Sequence, residues 1–379
     1  MSNELNYKKL GGYLFKNHKN SSLILLFIFL ISSLLESFSI ATLIPIISVI
    51  LNKDLENNTL NILLRDKMNL DLSFLFSDVQ FFFIVVLVVY FIRMSAILFC
   101  NWNKEKFSLN INNIVVNKIY SKYINLSFSK FIQHNSSVFL RKLHYDVGLF
   151  SSAIIHSLTL IFEVFILMSI TLLLIFFNWK LSLMLGFISL IILYAVNFFT
   201  KKRITVLASE IIKNEKKRYQ NCLESFNLFK EIKLFNAQNY FLQKNKKITY
   251  NFFYNDFLRR FIITSPRIIV EFLVILGLIL FIFLIKNTED SIIILETLAL
   301  LGLAIIRLLP AVNRIISSLQ SLKSCGPSTN NVLNDLDNYD EFNNENEKGK
   351  IEIKKIHNQI SLVDVGFRYE STNKQILEK

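Results

Sequence analysis

Six apolar runs, each long enough to cross a bilayer, divide this chain of 379 residues: about 22–50, 79–100, 151–177, 180–200, 261–285 and 291–320. A helix needs about 20 apolar residues to span the hydrocarbon layer, and lipid admits only structures that satisfy their own backbone hydrogen bonds. The runs therefore predict six membrane-spanning helices. Composition agrees: 52% of residues are hydrophobic, 36 are Phe and the mean hydropathy is +0.42. That is more apolar surface than a soluble core of this size absorbs. The first run is no cleavable signal, because it continues from Leu23 to about Leu51 without a small-residue exit.

Charge between the runs is unequal. Only 19% of residues are charged, yet the net charge is +13. Lys8, Lys9, Lys16 and Lys19 precede the first run. The second–third connection carries Lys104, Lys106, Lys118, Lys122, Lys130, Arg141 and Lys142, and the fourth–fifth is basic from Lys201 to Arg260. The alternate turns are poor in cations, with Lys180 and Lys286 nearly alone, and the loop at about 52–78 balances Lys53, Arg65 and Lys67 with acids. Lys and Arg concentrate on the inner side of membranes. Both termini and both long connections are therefore expected in the cytoplasm, and the basic balance needs no nucleic acid.

Those connections contain no Pro and a single glycine, Gly148, and show helical spacing such as Ile111, Ile114, Val115, Lys118 and Ile119. They predict membrane helices running on into the cytoplasm, each pair closed by a short turn. The expected fold class is an all-α membrane protein over residues 1–333. At 334–350 the composition shifts to Asn, Asp and Glu, the mark of a solvated linker. Over 351–379, Ile360, Leu362, Val363, Val365, Phe367 and Tyr369 read as a β-strand, with a turn at Ser371–Lys374 and a second strand opening at Ile376.

Cys100, Cys222 and Cys325 form no pair, and His18, His134, His144, His156 and His357 have no ligand spacing, so no metal site is expected. Arginines inside the spans are more telling, since each costs about 2.5–3.5 kcal/mol at a helix centre. Arg93 lies in the second span. Arg307 and Arg314 lie in the sixth, seven residues apart on one face with Pro310 between them and Glu296 nearly in line. Arg93, Arg307 and Arg314 are candidates to line an inner cavity that attracts an anionic head group, such as a pyrophosphate held by guanidinium forks. The competing reading is structural: Arg93 pairs with Glu36, and Arg314 snorkels to the interface. Arg267, just after Pro266 and four residues before Glu271, is a weaker candidate for the same cavity and reads first as a helix-start ion pair.

Several segments together carry a resemblance: LLESFSIATLIPII, YFIRMSA, NLSFSKFIQHNSSVFLRKLHYDV, FKEIKLFNAQ, SPRIIVEFL, AIIRLLPAVNRIISSL and SLVDVGFRYESTNKQILEK. With the six-run pattern they resemble an ABC exporter half-transporter, nearest to bacterial lipid-linked oligosaccharide flippases. The resemblance implies a homodimer in the bacterial inner membrane, driven by ATP and Mg²⁺ in ATP-binding domains, that moves a lipid-linked or anionic glycan outward. It implies that Tyr369 stacks on adenine. It implies that turns at about 127–133 and 221–229 are coupling helices whose Phe128, Phe131, Phe226 and Phe229 dock on the ATP-binding domains. The alternative for these rings is packing on neighbouring helices. The resemblance also implies a short external helix around Leu60–Leu64, Leu70, Leu72, Phe74 and Leu75.

The family's phosphate loop, Gly-x-x-x-x-Gly-Lys-Ser/Thr, is missing, and the last glycine is Gly366. No catalytic residue is therefore expected in these residues, nor ATP bound by them alone, and a fragment or truncated reading frame is expected. The rivals are an exporter of another lipid or peptide, and a membrane scaffold without transport.

Overall fold

The computed structural model describes residues 5–43, 45–46, 79–126, 131, 136–177, 179–285, 291–337, 361 and 365–366. Its helices are α1 (Tyr7–Asn17), α2 (Lys19–Ala41), α3 (Val79–Ile124), α4 (Ser136–Arg141), α5 (Val147–Phe177), α6 (Trp179–Asn227), α7 (Phe229–Leu234), α8 (Gln238–Ile285) and α9 (Ser291–Asp337). A π-helical turn, Lys142–Asp146, joins α4 to α5. The four longest helices, α3, α6, α8 and α9, have 46, 49, 48 and 47 residues. At 1.5 Å per residue each reaches about 70 Å, more than twice the thickness of bilayer hydrocarbon. The long connections are thus the spans continued as helix, as their spacing predicts. Among the described residues, three stretches are apolar and long enough to cross a membrane: Lys19–Ala41, Gln80–Ile124 and Ser136–Ile175.

Three boundaries differ from the sequence reading. The basic N-terminus forms a helix of its own, α1, capped by Asn6, whose side chain accepts the Lys9 N–H at 3.1 Å. Leu10 and Leu14 are buried along it and Leu5 just ahead of it, which orders a segment the charge count alone leaves open. The helix of the first span breaks at Ala41, and residues 45–46 are helical again. Pro45 lacks an N–H and its ring clashes with the preceding turn, so the helix breaks ahead of it. Residues 47–50 lie outside those described, as do the outer-loop segment at 60–75 and, apart from three positions, the strands expected over 351–379. Finally, α9 runs to Asp337, past the expected linker start at 334. Val332 and Leu333 are buried there, so packing carries the helix beyond the point where composition turns polar. Neither Pro310 nor Pro327 interrupts α9.

The core follows α5. Phe150, Ile154, Leu158, Phe162, Ile166 and Ile170 recur every four residues and are buried against α2, α3 and α9. Serines bring α2 close: Ser32, Ser33, Ser37 and Ser39 are buried, and Ser169 Oγ donates to the Ser33 carbonyl at 3.0 Å. Small residues and interhelical hydrogen bonds hold helices together where lipid removes the hydrophobic drive. Gly326 serves the same end in α9. A Cβ there would lie 3.0 Å from the Leu5 backbone nitrogen, so only glycine lets the chain entering α1 cross α9 at this depth.

Candidate functional site

Glu36 sits on α2 with its side chain 4% exposed. Arg93 of α3 places Nη2 3.6 Å from Glu36 Oε1, and Arg307 of α9 reaches the same oxygen. The Arg93 guanidinium also lies over the Tyr90 ring, 5.3 Å from its centroid. Two guanidinium groups therefore share one carboxylate. Arginine cannot shed its proton, so the cluster keeps a net positive charge among the described residues. Arg93 Nε, buried, has no hydrogen-bond partner there. An open apolar groove of about 790 Å³ adjoins this point; its described lining is one exposed face of α3, with Leu87, Tyr90, Phe91, Arg93, Met94 and Leu98.

Arg314 stands apart from that cluster. It grips Glu163 of α5 through a fork, Nε to Oε1 at 2.5 Å and Nη2 to Oε2 at 3.1 Å. Here charge balances one to one. The three arginines expected around one cavity thus divide: Arg93 and Arg307 meet on Glu36, while Arg314 meets Glu163. The Glu36–Arg93 contact belongs to the structural reading, but Arg307 on the same carboxylate does not follow from it. Arg314, its side chain 46% exposed, is paired with a buried acid. Glu163 was missed by the sequence reading, although a lone Glu inside the apolar run at 151–177 signals a partner as strongly as any arginine does. The Glu296 side chain lies outside those described. Arg267 and Glu271 pair at 2.9 Å on an exposed face of α8 and join neither cluster.

At the far end of the α6–α8 hairpin, α7 forms a short apolar tip. It ends because Asn236 adopts a left-handed φ of 53°. The Ala237 N–H then reaches the Ile232 carbonyl at 2.9 Å and the Asn236 N–H reaches that of Lys233 at 3.3 Å, a Schellman closure. Around it Phe226, Phe229, Leu234 and Phe235 are exposed, Phe235 by 81%. The sequence pointed to Phe226 and Phe229; Leu234 and Phe235 double that surface. Phe131 is also exposed, yet it stacks on Phe139 at 5.5 Å, so neighbour packing accounts for part of it. Phe128 and Tyr369 lie outside the described residues.

The foot of α9 is a third polar region. Asp146, fully buried in the π-helical turn, accepts from Arg141 at 2.8 Å, Ser328 at 2.7 Å and Asn331 at 3.4 Å. Burial pushes its carboxyl above the usual range although Arg141 opposes this. Asp335 takes Lys142 at 2.8 Å and the Tyr123 hydroxyl at 2.9 Å, while Lys9 meets Asp337 at 2.9 Å. The last turns of α9 are thereby tied to α1, α3 and the π-helical turn, so a displacement of α9 is felt by the helices that carry Arg93 and Glu163.

Long helices that outrun the bilayer, charge buried among spans and an apolar tip on a helical hairpin are the parts of a membrane translocation domain. Residues 22–292 match the ABC transporter transmembrane region, well over half of the 379-residue chain. The chain belongs to the ABC transporter transmembrane family.

Proposed function

We propose that this chain is the membrane half of an ATP-driven exporter or flippase that moves a lipid-linked oligosaccharide, or a similar anionic glycolipid, across the bacterial inner membrane. The carrying observation is the unbalanced cluster of Arg93 and Arg307 on Glu36 beside an apolar groove. An anionic head group would supply the charge the cluster lacks, and the groove along α3 would take part of the lipid. Arg314, released from Glu163, and Arg267 would be secondary contacts along the path.

ABC transmembrane domains pair with ATP-binding domains and work as dimers. In this reading the chain acts as a homodimer with both termini in the cytoplasm. The exposed Phe226, Phe229, Leu234 and Phe235, with Phe128 and Phe131, form its surface toward the ATP-binding domains. ATP and Mg²⁺ bound in those domains supply the free energy, and Tyr369 would stack on the adenine. This chain's own residues receive the head group, shield its charge and pass closure from the α7 tip along α6 and α8 to the spans. The reading is tested by transport of a fluorescent lipid-linked pyrophosphate glycan in proteoliposomes holding the assembled transporter. Arg307→Glu should lower the rate at least tenfold with insertion unchanged. An unchanged rate would remove the arginines from the mechanism and favour export of an uncharged lipid or a peptide.

A further inference from the structure

A second groove, of about 380 Å³, lies between α6 and α8, away from the membrane-level arginines. It is lined by a 3–4–3 stripe of α6, Asn214, Lys217, Asn221 and Glu224, facing Lys244 and Lys247 of α8. A seam between two helices is normally apolar; this one is lined by three lysines, Lys217, Lys244 and Lys247. Glu224 is already engaged, accepting from Gln220 at 2.8 Å and Lys244 at 3.2 Å, and the Gln220 bond followed by Lys244 holds its carboxyl below the usual range. Lys217 and Lys247 have no ion-pair or hydrogen-bond partner among the described residues. Asn221 is 3% exposed, its Oδ1 is unpartnered, and its Nδ2 reaches Asn245 only at 3.5 Å. The groove thus offers two free cations and a buried acceptor.

We propose that this groove binds a small, soluble phosphorylated molecule that carries hydroxyl donors, a sugar phosphate in class, and clamps α6 to α8. The phosphate would answer Lys217 and Lys247, and a hydroxyl would answer Asn221 Oδ1. A lipid head group is the wrong source. Counting 1.5 Å per residue from the expected span ends at 200 and 261, the groove begins about 15 Å beyond the hydrocarbon and extends to about 35 Å. The head-group layer is only about 5–8 Å deep. Glu224 is five residues ahead of α7, so an occupied groove stiffens the hairpin that carries the exposed tip. The site would regulate coupling rather than carry cargo.

The test is isothermal titration of the full chain in detergent with glucose 1-phosphate and, separately, inorganic pyrophosphate. Saturable binding of glucose 1-phosphate is expected, weakened at least tenfold by Lys217→Ala or Lys247→Ala and kept by Lys247→Arg. Lys213→Ala and Lys246→Ala, outside the groove, should bind as wild type. No binding to wild type, or equal weakening by all four alanine variants, would overturn the site. Tighter pyrophosphate binding would overturn the part given to the hydroxyl. Shielding of Lys217 and Lys247 from amine-reactive reagents that vanishes on dilution, without any phosphate effect, would show a second copy in the groove and would also overturn it.

Discussion

The membrane-level cluster and the foot of α9 both bury carboxylates beside cations, and they differ in how many guanidinium groups each carboxylate serves. At the foot, Asp146 takes one arginine together with Ser328 and Asn331, and Asp335 has a lysine and a tyrosine, while Arg141 Nε is buried without a hydrogen-bond partner among the described residues. At the membrane level, among the described residues, Glu36 faces two arginines and Arg93 Nε has no hydrogen-bond partner. A carboxylate matched to one arginine holds a fold in one arrangement, whereas a second guanidinium on the same carboxylate is costly unless something else completes it. The foot is therefore architecture and the cluster is a place for a ligand, although a residue list would rank them alike.

That contrast breaks if the foot proves dispensable. Asp146→Ala would strand the buried Arg141 charge, and losing one partner of such a pair costs about 3–5 kcal/mol. The variant should unfold well below the wild-type temperature in a detergent melt. Unaltered melting would mean that the foot is not a fastening.

The tip of the hairpin sharpens the comparison from the other side, because among the described residues its apolar side chains stay exposed, with Lys233 lying over the Phe229 ring at 5.8 Å. Phe229→Asp combined with Phe235→Asp should leave the melt unchanged and lower substrate-stimulated ATP hydrolysis of the assembled transporter about tenfold, roughly 1.4 kcal/mol of coupling. Wild-type stimulation would return these rings to incidental exposure.

A smaller effect concerns pH. The Asp146 carboxyl is raised by burial, so the folded state holds its proton more tightly than the unfolded chain. Its contribution is greatest below the unfolded carboxylate value of about 3.9. It declines as pH rises through the raised folded value, and is flat above that. Asp146→Asn should remove this slope from a chemical-denaturation series across the acid range. An identical slope in the variant would assign it to other groups.

Smallest of all, Arg267→Gln should shift stability by about 0.5 kcal/mol or less, since Arg267 and Glu271 form an exposed i,i+4 pair. A larger change in the melt would show that the pair is buried in the working assembly.

The long-range order was legible because lipid imposes a length rule on every span and helical spacing persists through the basic connections. Three kinds of feature were not. Glu163 was overlooked inside its apolar run, where one acid hardly alters the hydropathy that reveals the span. The end of α9 at Asp337 and the independent α1 depend on packing between residues more than 300 apart, as in the Asn6–Asn330 hydrogen bond at 3.1 Å, which no local pattern encodes. The sharing of Glu36 by Arg93 and Arg307 depends on three helices meeting. Spacing told only that Arg307 and Arg314 share a face, and the structure then parts them between two acids.

The account stands on the spare positive charge at Glu36 among the described residues. Its most direct test is the thermal shift of the purified protein on titration with a polyprenyl pyrophosphate, compared between wild type, Arg307→Gln and Glu36→Gln. The lipid should stabilise the wild type, and its apparent affinity should fall at least tenfold in Arg307→Gln. In Glu36→Gln the apo protein should melt lower while its affinity is kept or raised, because the competing carboxylate is gone. Equal shifts in wild type and Arg307→Gln, or affinity lost with Glu36 instead, would contradict it.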